Sequence, residues 1–155
     1  MRTHAGTVIE VSLSDAVLGA RNYAALAETS PPNLIAQYRL LLAVLHRSLT
    51  TRIGKWNDAD RARWFREGLP EGPVREYLAQ WRDRFWLFHP SDPFMQVAAL
   101  AEAEETRDKL KAQAQLELEG ASGTTPVMFD DSMDGIPASV SYATAFRNLL
   151  GFLQF

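Results

Sequence analysis

Three histidines, a run of acids and a cluster of arginines are the residues of this 155-residue chain that could do chemistry. His89 lies three residues before Asp92, a spacing that could join an imidazole to a carboxylate for general acid–base work. The same spacing describes a capping hydrogen bond in a turn bounded by Pro90 and Pro93. His4 lies near the terminus and His46 in an apolar helical pattern, so neither has an evident catalytic partner. Asp130, Ser132, Asp134 and Gly135 match positions one, three, five and six of a calcium loop. Position twelve is Ser141, where a bidentate glutamate is needed, and Pro137 falls inside the loop. A polar turn before the last helix is the better reading. Arg61, Arg63 and Arg66 surround Trp64, an interleaving of cations and aromatics that suits nucleic-acid surfaces. It also suits a core indole with arginine stems extended around it.

The chain lacks a glycine-rich phosphate loop, an H-E-x-x-H pair and a nucleophile elbow. With no cysteine there is no disulfide, thiolate metal site or cysteine nucleophile. The expectation is a protein that is not an enzyme, binds no metal and needs no cofactor.

Charge is unevenly placed. The whole sequence carries −3, yet Gln37 to Trp86 holds ten Lys/Arg against six acids, and nine of the ten are arginine. Arginine suits bidentate contact with carboxylate or phosphate. Two readings stay open: solvated helix faces with internal arginine–carboxylate pairs, or a surface for a polyanion or acidic partner. The length fits about one domain with a real core, and 46% hydrophobic with 23% charged residues is ordinary globular usage. No apolar run is long enough to span a bilayer, and no leader pattern opens the chain; a cytoplasmic protein is expected.

The elements that must position these residues are mostly helical. Thr7 to Leu13 alternates as a short strand. Ser12 or Ser14 can cap a helix that starts near Asp15 and runs through Leu26 until Ser30-Pro31-Pro32. Asn33 opens the strongest pattern, with Leu34, Ile35, Tyr38, Leu41, Leu42, Leu45 and Leu49 on one wide face of a central, buried helix. Asn57 or Asp58 caps a short helix through Trp64 and Phe65, ended at Gly68. Gly72-Pro73 opens another, in which Val74, Tyr77, Leu78, Trp81, Phe85 and Phe88 recur at helical spacing, before a short extended piece at Phe94 to Val97. Glu104 to Glu119 favours a helix with a thin apolar face (Leu110, Ala114, Leu118). Residues 121–137 read as a long functional loop around Val127-Met128-Phe129. Pro137 leads into an apolar helix that continues to the end of the chain. The fold class is therefore mainly α (α+β): a small N-terminal strand element, then five or six helices, as part of a larger domain.

Three segments in order carry a resemblance. They are Arg39-Leu40-Leu41-Leu42-Ala43-Val44-Leu45-His46; the stretch from Tyr77-Leu78 through Trp81, Phe85, Leu87 and Phe88 to Pro93-Phe94-Met95-Gln96; and Ser122-Gly123-Thr124-Thr125 with Phe129 and Asp130. Together they resemble the N-terminal part of the large subunit of type I-E CRISPR Cascade, the CasA family. The aromatic stretch ending in Pro93–Gln96 is the most specific of the three.

The resemblance implies a non-catalytic subunit of an RNA-guided antiviral complex, in which base pairing reads sequence while protein reads a short motif and duplex shape. The partners it implies are the CasD subunit, the CasC backbone, the small subunit, guide RNA, target double-stranded DNA and a recruited helicase-nuclease. It places Ser122, Gly123, Phe129, Asp130 and Asp131 in a loop against the guide-RNA 5′ handle and CasD. It also makes the chain a support for recognition of the protospacer-adjacent motif. Arg61, Arg63 and Arg66 are a candidate nucleic-acid or partner patch from the residues themselves, the core-indole reading of Trp64 standing beside it. The opening strand motif usual in that family is absent, and family members are much longer, so a fragment or a reduced form is expected. A stand-alone helical adaptor, binding protein through its apolar last helix and arginine-rich segment, is the alternative.

Overall fold

The computed structural model describes residues 1–107, 109, 113–117 and 139–154. They form two compact units, Met1–Thr29 with Gln37–Arg82, and Ser30–Ala36 with Asp83–Phe155. No helix among the described residues is long and apolar enough to cross a membrane.

The first unit begins with a small antiparallel pair, β1 (Arg2–Thr3) and β2 (Tyr23–Ala25). Gly6, at φ 87°, makes the turn that returns Thr7 to Thr3, a left-handed conformation open to glycine. Arg2 bridges Val8, and the terminal ammonium of Met1 donates to the Ile9 carbonyl at 2.8 Å. The strand expected over Thr7 to Leu13 is not formed. Its alternation has no sheet face to cover, and Val8 and Ile9 stay exposed. Ser12 instead caps helix α1 (Leu13–Leu18), accepting from the Asp15 amide at 3.0 Å and donating to the Asp15 carboxylate at 2.7 Å. That helix stops at Gly19, short of the expected Leu26, because Tyr23–Ala25 pair with β1.

Helix α2 (Pro31–Ile53) starts two residues before Asn33, since proline is tolerated in a first helical turn. It gives Pro31–Ala36 to the second unit and the rest to the first. The expected periodicity found the helix and, of its expected face, the buried Leu49, but not the rest of the packed side. Asn33, Ala36, Val44, Ser48 and Leu49 are buried, whereas Ile35, Tyr38 and Leu42 stand 56%, 47% and 62% exposed. Asn33, Ala36 and Ser48 thus share the packed side with Val44 and Leu49. Gly54, at φ 86°, ends the helix by donating to the Thr50 carbonyl.

Helix α3 (Asp58–Glu67) opens on a capping box, with Asn57 accepting from the Asp60 amide and Asp60 accepting from the Asn57 amide, both at 3.1 Å. Helix α4 (Glu71–Gln80) buries Val74 completely and Leu78 almost so, and packs on α1. It stops eight residues before Phe88, the expected end, and a 3-10 turn over Arg82–Phe85 follows.

In the second unit the aromatics that looked helical form a folded loop. Phe85 and Phe94 have ring centroids 5.4 Å apart, and Phe94 and Phe146 5.8 Å apart. The Phe94 amide donates to the Trp86 carbonyl, and the Gln96 side-chain amide donates to the Leu87 carbonyl at 2.8 Å. Phe94 to Val97 is therefore a turn rather than an extended piece, with Met95 at φ 53°. Of the helix expected over 104–119, the described residues show α6 (Glu104–Arg107) and a 3-10 turn at Gln113–Leu116, with α5 (Ala99–Glu102) ahead of them; most of the rest of that span lies outside the described residues. The Thr106 hydroxyl donates to the Leu100 and Ala103 carbonyls, tying α6 back to α5. Helix α7 (Tyr142–Phe152) is capped by Ser141, packs on the Gln113–Leu116 turn and buries Leu150 and Gly151. Mainly helical architecture with a small N-terminal sheet is as expected, with seven helices among the described residues.

Candidate interaction site on helix α3

Helix α3 carries the three arginines singled out by spacing, and each has a different fate. Arg61 pairs with Asp58 one turn back and lies 5.5 Å from the Trp56 ring centroid, within cation–π range. Arg63 pairs with Asp60 at 2.8 Å. Arg66 is exposed, and its carbonyl accepts from the Arg21 guanidinium at 2.8 Å. Exposed pairs of this kind contribute roughly 0.2–1 kcal/mol each. With Asp58, Asp60 and Glu67 on the same ten residues, α3 is net neutral. The first unit as a whole holds eleven Lys/Arg against eight Asp/Glu, and the second five against eleven.

Between the arginines, Trp64 is buried and Phe65 is 90% exposed. Trp64 lies 5.5 Å from Trp56, and Trp56 lies 5.2 Å from the His46 ring, measured between centroids. These rings line an open cavity of about 830 Å³ whose walls also include Leu42, Leu45, Leu49 and Arg21. The sequence marked Trp64 but not Trp56, which follows Gly54-Lys55 outside any periodic pattern. Arg21 was equally invisible, because its partner lies 45 residues away.

Arg21 holds the C-terminal end of α3, donating to the Arg66 carbonyl and, at 3.5 Å, to that of Phe65. Its guanidinium fills the space beside Gly68, which sits at φ 109°. Replacing Arg21 with alanine leaves those carbonyls to water and should cost about 1 kcal/mol. Urea melts followed by far-UV circular dichroism check this, and a loss indistinguishable from zero would remove the strut from the description.

Among the described residues the remaining chemistry candidates do not come together as a reaction centre. The His89 Nδ1 accepts from the Asp92 amide at 3.0 Å, while the Asp92 carboxylate faces Arg84 at 3.2 Å. That is a turn hydrogen bond. Among the described residues no group of three His, Asp or Glu comes together as a metal site. Ser122, Gly123, Phe129, Asp130 and Asp131, and with them the calcium-loop pattern, lie outside the described residues.

The sequence model of the family described as CRISPR-associated protein Cse1 matches residues 1–155. The chain belongs to the Cse1 family. It is 40% identical over 146 residues to the CRISPR-associated protein CasA/Cse1 of Thermus thermophilus, which is 94% of this chain and 28% of that relative. The structure of Thermus thermophilus CasA (Cse1) superposes with a TM-score of 0.75 at 37% identity, covering 97% of this chain and 28% of that one. A second, crystal structure of CasA from the same organism gives 0.74 at 37% identity, covering 97% and 27%. The chain thus spans little more than a quarter of its Cse1 relatives and corresponds to their N-terminal portion.

Proposed function

We propose that this chain is the N-terminal portion of a non-catalytic large subunit in a type I-E CRISPR surveillance complex, working in the cytoplasm. The observation that carries the reading is the match to Cse1 along residues 1–155, with a fold close to Thermus CasA. In such a complex the guide RNA supplies sequence specificity, leaving to protein the short flanking motif and the shape of the duplex. The chain's work is to hold the end of the complex that carries the guide-RNA 5′ handle, beside CasD, CasC and the small subunit. It thereby supports reading of the protospacer-adjacent motif on target DNA before the helicase-nuclease is recruited.

Within this reading, the 121–137 segment is the contact loop. Ser122 and Gly123 belong to it, Phe129 supplies a ring that can stack on or wedge beside a splayed base, and Asp130 and Asp131 follow it. Arg61, Arg63 and Arg66 form the secondary patch, with Arg66 the one whose guanidinium has no ion pair among the described residues. Replacing Phe129 with alanine is expected to weaken target-DNA binding by the assembled complex at least tenfold, with the melting temperature of the free chain unchanged. Gel-shift titration with the assembled complex, beside thermal melts of the free chain, checks it. A large drop in melting temperature without a binding defect would place Phe129 in the chain's own core, where truncation costs roughly 3–5 kcal/mol.

A further inference from the structure

The second unit turns several of its large rings to solvent. Tyr142, at the head of α7, is 78% exposed, Phe88 56% and Trp86 55%. Tyr142 and Phe88 lie against each other with ring centroids 5.2 Å apart, and Trp86 meets the His89 ring edge-on at 5.3 Å. Met95 and Val97, in the turn that follows, are exposed as well. That turn is held close to the rings: the Phe94 amide donates to the Trp86 carbonyl, and the Gln96 side chain donates to the Leu87 carbonyl beside Phe88. Single exposed apolar residues are normal on a surface, but a gathering of large rings marks a contact.

The charges of the unit define the partner. Asp83, Glu102, Glu104, Glu105 and Glu117 are exposed, and none of these carboxylates has a partner among the described residues. The first lies three residues before Trp86, and the next three come within nine residues of Gln96. Arg84 is already taken by Asp92 at 3.2 Å, and Arg147 donates to the Thr144 hydroxyl. A phosphate backbone approaching the rings would meet unpaired carboxylates, the reverse of a nucleic-acid surface. A guanidinium suits both features, since it stacks on aromatic faces and binds carboxylates through paired hydrogen bonds.

We infer that the ledge built on Phe88 and Tyr142 docks a basic segment of another protein, its arginines on the rings and the neighbouring glutamates and its aliphatic side chains over Met95 and Val97. The inference goes beyond the proposed function and uses only exposure and charge, so either can fail without the other.

The test uses the 155-residue chain and a fluorescein-labelled peptide of alternating arginine and leucine, followed by fluorescence anisotropy. Saturable binding is expected, at least tenfold tighter than for the peptide with glutamate in place of arginine. Tyr142→Ser should weaken it at least fivefold while leaving the melting temperature within about 2 °C. Tyr142→Phe keeps the ring and should keep the affinity. Neutralising the acids with Glu104→Gln and Glu105→Gln together should weaken binding at least threefold. No measurable binding of the arginine peptide overturns the inference, as does binding that Tyr142→Ser leaves unchanged. An oligouridylate bound as tightly as the arginine peptide would assign the rings to RNA. Self-association abolished by Tyr142→Ser would assign them to a second copy, and a Tyr142→Ser variant that melts several degrees lower would assign the ring to the chain's own core. Each of these three also overturns it.

Discussion

Replacing Trp64 with alanine is expected to destabilise the chain by about 3–5 kcal/mol, the usual range for a large aromatic truncated in a core. Whole domains have roughly 5–15 kcal/mol of stability, so this one change removes a large share. The reason lies in what α3 lacks. Six of its ten residues are charged, and Trp64 is its one buried side chain. The indole lies against Trp56, which in turn meets the His46 ring on α2. Without it, the capping box at Asn57 and the Arg21 strut hold only the two ends of the helix. Trp64→Phe keeps a ring in place and should cost markedly less. Far-UV circular dichroism during urea unfolding is the suitable readout, since the substitution itself alters tryptophan fluorescence. A loss below about 1 kcal/mol for Trp64→Ala would mean that α3 is held by something other than its indole.

The second large effect is expected at Gly151. A Cβ built there would collide with the side-chain amide of Asn33, which is 8% exposed and donates to the Asn148 side-chain oxygen at 3.2 Å. Alanine in a helix is ordinarily favoured over glycine by roughly 0.5–1 kcal/mol. Here the Asn33 amide must turn away, and a buried polar group left unpaired costs about 1–3 kcal/mol. The clash outweighs the propensity gain, so Gly151→Ala should destabilise by about 1–2 kcal/mol. Gly151→Val adds overpacking of about 1–3 kcal/mol and should cost roughly 3 kcal/mol or more. A double-mutant cycle isolates the cause. With Asn33→Ala already present, Gly151→Ala should become neutral or stabilising, and a persistent loss there would exclude Asn33 as the obstacle.

These two positions also show what the sequence could and could not reveal. Trp64 belongs to a short helix bounded by Asn57 and Gly68, both local signals, and its helix was legible. That Trp64 turns inward while Phe65 points to solvent was not, since both are large and apolar and they are adjacent. In α2 the leucine-rich stripe announced the helix and its buried Leu49, but not the exposure of Ile35, Tyr38 and Leu42 or the burial of Asn33, Ala36, Val44 and Ser48. The burial of Asn33 depends on neighbours far along the chain, Asn148 and Gly151. The Ser12 cap was legible, but the end of α1 was not, because a distant strand intervenes at Tyr23–Ala25. For the site, the arginine cluster was visible as a cluster. Its neutralisation by Asp58 and Asp60 followed from i,i+3 spacing, one of the two readings left open. The cavity beside it was hidden, because Trp56, His46 and Arg21 converge only in three dimensions. Of the three segments that carried the family resemblance, the stretch from Tyr77 to Gln96 is the most specific; its order survives in sequence although only its start lies in α4 and its later aromatics form a folded loop.

The most direct measurement is co-purification. With an affinity tag on this chain, in cells that express the other type I-E subunits and a guide RNA, native mass spectrometry of the eluted material should show an assembly. That assembly should contain guide RNA and the CasC and CasD subunits. Elution of the tagged chain free of RNA and of those subunits, from cells where the rest of the complex forms normally, would contradict the proposed function.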